Sequence, residues 1–480
     1  MEKDLSVLKQ HVAALLASLA AMSAGIAIGW TAPALPLLQA EEPAENVPLR
    51  VSVDEGSWIS SLLPLGALFG AMPAGLMADW MGRKKAILSL AFPYTLGWLL
   101  ILFADETIVL VYVGRFLCGL ATGATTVLVP QYNEEIAEDA IRGALGIYMD
   151  FMLCNGVTLI NIFGAYLSYT WFTIASCIAS AIFLFTFVWV PESPVYLIMK
   201  DRMEEATEAL SWLRQGKRSY DVQEELRYLQ VNLISQSDDQ EPRPFCDMLM
   251  RILNKLSFKS RTFRTVFIVY GLMVFQIVGG IDAVLFYTVD IFNDVGSDLS
   301  SNVSSIIVAV CQSVCNLISA FYVDSLGRRP MLLISAFITA VCHAALAIYF
   351  YFKGSGIDME SWSWIPVVAL ILFVIGFTVG FSQLPWLMMA ELVPTRTKTW
   401  VNAGAVTLNW TMVFVITKDF PDMVQYLGND VTYGLFSCMC VMSFVFVAIW
   451  VPETKGKSRE EIQEALSIKK KVTSSKGDFA

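Results

Sequence analysis

GLMADWMGRK at residues 75–84 closes one long apolar run of the chain, and DSLGRR at residues 324–329 closes another, 245 positions further on counted from Asp79 to Asp324. In both stretches an acid stands three residues before a glycine and an arginine follows at once: Asp79, Gly82 and Arg83 in the first, Asp324, Gly327 and Arg328 in the second. Two further pairs repeat in the same order. Glu135 with Arg142 behind it ends the run that begins near Ile108, and Glu391 with Arg396 behind it ends the run that begins near Trp364. PESP at 191–194, carrying Glu192, is answered by PETK at 452–455, carrying Glu453, an offset of 261. Three ordered pairs make the chain two homologous halves.

The runs between these clusters are long enough to cross a bilayer. Of the 480 residues 56% are hydrophobic and only 16% charged, too apolar for a string of soluble domains. A hydrocarbon core about 30 Å thick takes about 20 residues of helix. Twelve such windows lie at 11–36, 56–80, 86–104, 108–129, 143–168, 171–190, 263–292, 303–323, 331–352, 364–389, 399–420 and 431–451. Continuous runs of this length exclude a strand barrel, whose segments are short and alternating. The expected organisation is a six-helix bundle over 1–190, a linker over 191–262, a second bundle over 263–451 and a tail over 452–480. Within the linker, 201–214 and 221–233 read as amphipathic helices and the polar, proline-bearing 235–244 as a flexible connection.

Charge gives orientation and excludes several activities. Arg83, Lys84, Lys85, Arg142, the linker, Arg328, Arg329, Arg396 and Lys398 fall on one face, and only Arg50, Lys353 and Lys418 on the other. The positive-inside rule makes that basic face, with both termini, cytosolic. Removing the first run as a signal peptide would break this pattern. A net charge of -10 without a basic stripe argues against nucleic acid as a partner. Two histidines and nine scattered cysteines, none in a CxxC pair, offer no metal or haem site, and no cofactor is expected. There is no phosphate-cradling loop and no nucleophile elbow, so neither an ATP-driven pump nor an enzyme is indicated.

The repeated charges at the basic face, Asp79, Arg83, Glu135, Arg142 and Glu192 with their counterparts Asp324, Arg328, Glu391, Arg396 and Glu453, can pair between helix ends across the halves. Such pairs hold one face shut in one state and break in the other. The plainer reading is topogenic charge, but an acid kept at fixed spacing in both halves favours gating. Arg115 lies inside the fourth run, where an arginine is costly unless paired. It is assigned to the same network, with a partner near Glu135 or Glu192.

These residues resemble the sugar porters of the major facilitator superfamily. The resemblance rests on GLMADWMGRK, RFLCG at 115–119, RGALG at 142–146, PESP, DSLGRR, Pro385 and Trp386 with Glu391, and PETKG at 452–456, and it covers nearly the whole chain. FYTVDIF at 286–292, SSII at 304–307 and WLMM at 386–389 look most like the insect facilitated trehalose transporter branch. What this implies is an all-α membrane protein of twelve transmembrane helices in two pseudo-symmetric six-helix bundles. It implies a carrier that moves a neutral sugar, trehalose or a hexose, across the plasma membrane by alternating access, working as a monomer with its site between the halves.

The resemblance also assigns site residues, with departures. The seventh run reads QIVGGIDAVLFY at 276–287 where such porters have QQxSGxNxxxYY, so Gln276 is kept and Asp282 replaces an asparagine. Asp150 stands where the fifth run offers a glutamine, and Gln312 where the eighth offers an asparagine. Asn409 and Trp410 match a family pair. The flexible GPGPIPW of the tenth run has become GFSQLPW at 380–386, leaving Pro385 as the hinge beside Trp386. Amides and carboxylates suit the hydroxyl rim of a sugar, and tryptophan its C–H face. The alternatives are interhelical hydrogen bonding for Gln276 and Asn409, and core or lipid-facing positions for the tryptophans. Asp150 and Asp282 read in three ways: strong acceptors of sugar hydroxyls, a proton carrier for symport, or a site for a cationic solute. Proton-coupled porters typically place an acid in the first run, and 15–30 here has none, which puts uniport ahead of symport. A sensor that binds solute without net transport is the rival from another class. His343 is expected to be a hydrogen-bonded core residue.

Overall fold

A computed structural model describes residues 2–40, 49–104, 107–138, 140–215, 219–238, 261–295, 300–393, 398–457 and 461. Arg396 lies outside the described residues, as do the side chain of Asp324 and most of the 235–244 connection and the tail. Among the described residues eleven helices or helix pairs are long and apolar enough to cross a membrane. A further one, Lys398–Leu427, has 30 residues but carries Asn402, Asn409, Thr417 and Lys418. Its apolar average is lowered by side chains that turn inward, since Asn409 and Thr417 are buried. With it the expected twelve are complete.

The first half consists of Glu2–Gly29 continued by Thr31–Gln39, then Val53–Met81, Arg83–Ser89 continued by Ala91–Leu102, Ile108–Ile136, Arg142–Tyr166 and Tyr169–Phe187. The second half follows the same plan: Arg261–Val278 continued by Ile281–Val295, Ser301–Leu326, Arg328–Gly354, Trp364–Val379 continued by Leu384–Leu392, Lys398–Leu427 and Asn429–Trp450. We refer to these as the first to twelfth spans. Within the first half the second and fourth spans pack most closely, followed by the first and fifth. Glycine makes that approach possible: a Cβ on Gly66 would lie 2.2 Å from the Phe116 carbonyl oxygen, and one on Gly119 2.1 Å from that of Leu63. Backbones in contact gain dispersion where no hydrophobic effect drives helices together.

The halves meet along the second and eleventh spans, along the fifth and eighth, and where Thr31–Gln39 packs on Ile281–Val295. The internal repeat converts the second span into the eighth and the fifth into the eleventh, so the two long seams are one contact used twice. A small apolar cluster of Ala67, Ala71, Ile277, Trp410 and Val413 fills the seam between the second span and the seventh and eleventh.

Among the described residues three helices follow the first half: Pro194–Met199, Met203–Leu213 and Ser219–Asp238. They share a core of Tyr196, Leu197, Ala206, Leu210, Val222 and Leu226. Arg214, almost fully buried, fastens them to the end of the fourth span through Glu138 (3.2 Å), Glu225 (2.8 Å) and the Ile136 carbonyl (3.0 Å). The last of these helices runs through Asp238, so 235–238 belongs to it and not to the connection that its polar composition suggested. One narrow stripe, Val222 and Leu226, is enough to dock a helix whose other faces are wet.

Candidate functional site

Of the spans built in two pieces, the seventh and the tenth organise the site by their breaks. The seventh stops at Val278 and resumes at Ile281 across Gly280, whose φ of 87° is the left-handed region. A Cβ there would also lie 2.9 Å from the Phe436 ring. The Gly279 carbonyl at this bend takes its hydrogen bond from His343 Nε2 at 2.9 Å. A carbonyl only accepts, so Nε2 carries the proton. His343 is the buried core residue that the sequence suggested, held at the seventh-span bend.

The tenth span stops at Val379 and resumes at Leu384. Gln276 Nε2 donates to the carbonyls of Phe381 (2.8 Å) and Ser382 (3.1 Å) in this break, and its Oε1 accepts from Asn409 Nδ2 at 3.1 Å. Both N–H groups of the amide are therefore taken. The break survives the loss of two family prolines because side chains from neighbouring spans supply partners to its backbone; Ser335 Oγ likewise accepts from the Phe381 N–H at 3.3 Å. Pro385 sits in the first turn of the resumed helix, where a missing N–H costs nothing.

The remaining expected residues fall into separate places. Trp410 is 8% exposed and packs against Ala67 and Ala71 of the opposite half, while Trp386 is half-buried beside Pro385. Asp282 opens the second piece of the seventh span, with Oδ2 buried and without a hydrogen-bond partner. Asp150 is half-buried on the fifth span, and Gln312 is buried on the eighth, the helix that packs against it. These two spans are joined by the Thr158 hydroxyl, which meets the Ala309 carbonyl (3.1 Å) and Ser313 Oγ (3.0 Å). One turn beyond Gln312, Asn316 is 1% exposed and neither atom of its amide finds a partner. The sequence reading passed over Asn316; an amide one turn from Gln312 in an apolar run was the available signal.

At the basic face the described pairs of each charged cluster join residues of one half. Arg83 reaches Glu135 (2.9 Å) and Asp79 (3.1 Å), and Ser193 donates to Glu135. Glu192 accepts from the backbone N–H of Lys84 and of Ser193, both at 2.9 Å. In the second half Arg328 pairs with Glu391 at 3.1 Å, and Glu453 accepts from the N–H groups of Arg328 (3.0 Å), Arg329 (3.1 Å), Thr454 (2.9 Å) and Lys455 (2.9 Å). The pairs described in this state thus lie within one half each; Arg396 and the side chain of Asp324 lie outside the described residues. Gly82 and Gly327, at φ of 97° and 95°, turn each chain so that the following arginine folds back onto its own bundle. Burial pushes the Glu192 carboxyl up despite its N–H donors. Burial acts on Glu453 too, but there four N–H donors outweigh it and hold the carboxyl below its ordinary range. Arg142 lies exposed in the first turn of the fifth span.

Arg115 also needs correcting. It stands seven residues into the fourth span from the end opposite the basic face, and Glu135 is twenty residues, about 30 Å, further along. Its partners are carbonyls rather than a glutamate: Nε donates to Ile59 (3.0 Å), Nη1 to Ala27 (2.5 Å), and the guanidinium lies 5.5 Å from the Trp30 ring. Carbonyl dipoles and an aromatic face replace a carboxylate there.

Comparison with known proteins places this arrangement. The chain matches the family described as "Sugar (and other) transporter" over residues 13–466. Facilitated trehalose transporter Tret1 of Bombyx mori is 34% identical over 458 residues, spanning 95% of this chain and 87% of that one. The protein of the same name from Apis mellifera ligustica is 34% identical over 454 residues, with the same coverage of 95% and 87%. The partially occluded inward open conformation of the xylose transporter XylE from E. coli superposes with a TM-score of 0.75 at 20% identity, over 94% of this chain and 99% of that one. XylE bound to 6-bromo-6-deoxy-D-glucose, a proton:xylose symporter of the major facilitator superfamily, gives 0.73 at 20% identity over 97% and 100%. The twelve-helix, two-bundle fold is that of these structures, and the chain is a multi-pass membrane protein of the sugar transporter family, a carrier and not an enzyme.

Proposed function

We propose that the chain is a uniporter that carries a neutral sugar, trehalose or a hexose, down its gradient across the plasma membrane, with the basic face and both termini in the cytosol. The observation that supports uniport is Arg115. The buried cation facing the first span is held by the carbonyls of Ala27 and Ile59 and by Trp30, so those bonds carry no titrating acid through which a proton could be coupled. The trehalose carriers at 34% identity support the substrate class. In this reading the sugar sits between the bundles. Asp150 and Gln312 reach it from the fifth and eighth spans, Gln276, Asn409 and Asp282 from the seventh and eleventh, and Trp386 offers its ring. Gln276 then has two occupations, the carbonyls of the tenth-span break when the site is empty and sugar hydroxyls when it is filled. Exchange between them links binding to bending at Pro385 and so to the alternation of the bundles. The charged clusters of the basic face stiffen each bundle as it rocks. One chain supplies every part of the site, so the monomer is the working unit.

Proton symport is the second reading, favoured by the buried, unpartnered Oδ2 of Asp282. Uptake of labelled glucose and trehalose by cells expressing the chain, at outside values of about pH 5.5 and about pH 7.5, separates the readings. Saturable uptake that ignores pH and survives Asp150→Asn and Asp282→Asn is the expected result. Uptake that rises in acid and is lost with either change means symport. No uptake of either sugar by protein present at the surface overturns the carrier reading in favour of a sensor or another solute.

A further inference from the structure

At the end opposite the basic face the two halves are joined by charge, and the joint is built from a residue that the sequence left as a loop cation. Lys418, nine residues before the end of the eleventh span, sends Nζ across to the start of the second. It lies 2.9 Å from Asp54 Oδ1, 2.8 Å from Ser57 Oγ and 5.1 Å from the centre of the Trp58 ring. Trp58 in turn packs on Phe414, one turn along from Lys418, with ring centroids 6.4 Å apart. The lysine side chain is 16% exposed and the Asp54 side chain 71%. The ammonium is therefore sheltered under the tryptophan while its carboxylate partner stays in water. A capping box at Ser52 and Glu55 fixes the helix start that presents Asp54 and Ser57.

We propose that Lys418 with Asp54 is the latch that holds this face shut, and that it must open in every turn of the transport cycle. The physical case is an asymmetry between the two faces. At the basic face the described ion pairs, Arg83 with Asp79 and Glu135 and Arg328 with Glu391, each join residues of one bundle and survive a rotation of one half against the other. At the opposite face the Lys418 pair crosses between bundles, so it exists in one state and is lost when the second and eleventh spans part. The latch thus biases the carrier toward the state in which this face is closed. A partly exposed pair with a cation–π neighbour shifts a two-state population by about threefold to tenfold. Lys418 is a positioning residue: it acts on the bundles and not on the sugar. The inference builds on the alternating-access reading above, yet its test needs no substrate, so the two fail separately.

The test is labelling of Ser60→Cys by a membrane-impermeant maleimide from outside intact cells. Ser60 is fully buried on the second span, on the helix that carries Asp54 and Ser57, and the proposal requires it to become reachable when the seam opens. The full chain with its native cysteines gives the background rate. On the Ser60→Cys chain, Lys418→Gln and Asp54→Asn are each expected to raise the labelling rate about threefold to tenfold. The double change should add little to either single change, and the exchanged pair Lys418→Asp with Asp54→Lys should return the rate toward the parent. Surface amount is measured in parallel, and Asp54→Asn, at an exposed helix start, serves if the lysine variants do not reach the surface. Single variants at the surface that label like the parent overturn the proposal. So do singles whose effects simply add while the exchanged pair restores nothing, because the interaction would then be absent.

Discussion

Replacing Gln276 by leucine removes three hydrogen bonds with little change of volume, and the structure says what each one leaves behind. The Phe381 and Ser382 carbonyls lose the donor that serves the tenth-span break, at 2.8 Å and 3.1 Å, and Asn409 Nδ2 loses its acceptor at 3.1 Å. A neutral hydrogen bond contributes about 1 kcal/mol net, and a buried group left unpaired costs about 1–3 kcal/mol. The expected loss for Gln276→Leu is therefore about 3 kcal/mol of folding stability. Asn409→Leu orphans only Gln276 Oε1 at this contact and should cost about 1 kcal/mol. The assay is thermal or denaturant unfolding of the purified, sugar-free chain in detergent, with both variants and the parent side by side. A Gln276 that served only to touch sugar would leave the empty protein as stable as the parent. That result, or equal losses in the two variants, would refute the assignment of Gln276 to the break.

Three further outcomes follow from the geometry. The depressed Glu453 carboxyl favours folding above its unfolded pKa, and this gain is lost as pH falls through the folded value; the raised Glu192 carboxyl favours folding at low pH, and its contribution declines as pH rises. At neutral pH Glu453→Gln should therefore lower the free energy of unfolding by about 1 kcal/mol, and Glu192→Gln by less or not at all, in the same unfolding assay. Gly280→Ala meets both a positive φ, worth about 1–2 kcal/mol, and a 2.9 Å contact with Phe436, whereas Gly75→Ala meets nothing within 4 Å. Size-exclusion profiles should show monodisperse protein falling severalfold for the first and unchanged for the second. Arg115→Lys keeps the charge but offers one compact ammonium to carbonyls on two different spans, so one of Ala27 and Ile59 is abandoned at about 1–2 kcal/mol, read as a lower melting point.

The fold was legible because membrane helices announce themselves by length and because the chain repeats its own helix ends. The eleventh span was read from the sequence as an apolar window at 399–420, and the helix there runs Lys398–Leu427. What the sequence could not give was direction. The clusters at Arg83 and Arg328 have the composition of a cross-bundle lock, and the positive-φ turns at Gly82 and Gly327 are what fold each arginine onto Glu135 or Glu391 of its own bundle in this state. Arg115 was sent to the wrong end for a related reason: a buried arginine announces the need for partners, and backbone carbonyls such as those of Ala27 and Ile59 carry no mark in the sequence. Lys418 looked like a loop charge because Asp54 lies 364 residues away. For Gln276 and Asn409 the interhelical reading is what the geometry shows in this state, the two amides tying the seventh, tenth and eleventh spans.

The Arg214 anchor has a mechanical consequence. Because that guanidinium binds Glu138, Glu225 and the Ile136 carbonyl together, and Lys9 Nζ lies 4.3 Å above the Trp212 ring, the three helices after the sixth span are bolted to the amino-terminal bundle. They form a rigid handle on the bundle's exposed end. Anything that grips this handle, an antibody fragment or a cytoskeletal tether, fixes the frame of one bundle and leaves the other as the moving arm. A dye pair with one member on the Met203–Leu213 helix and the other at the start of the ninth span would then read the swing of the carrier as a change in distance, with neither dye in the sugar's path.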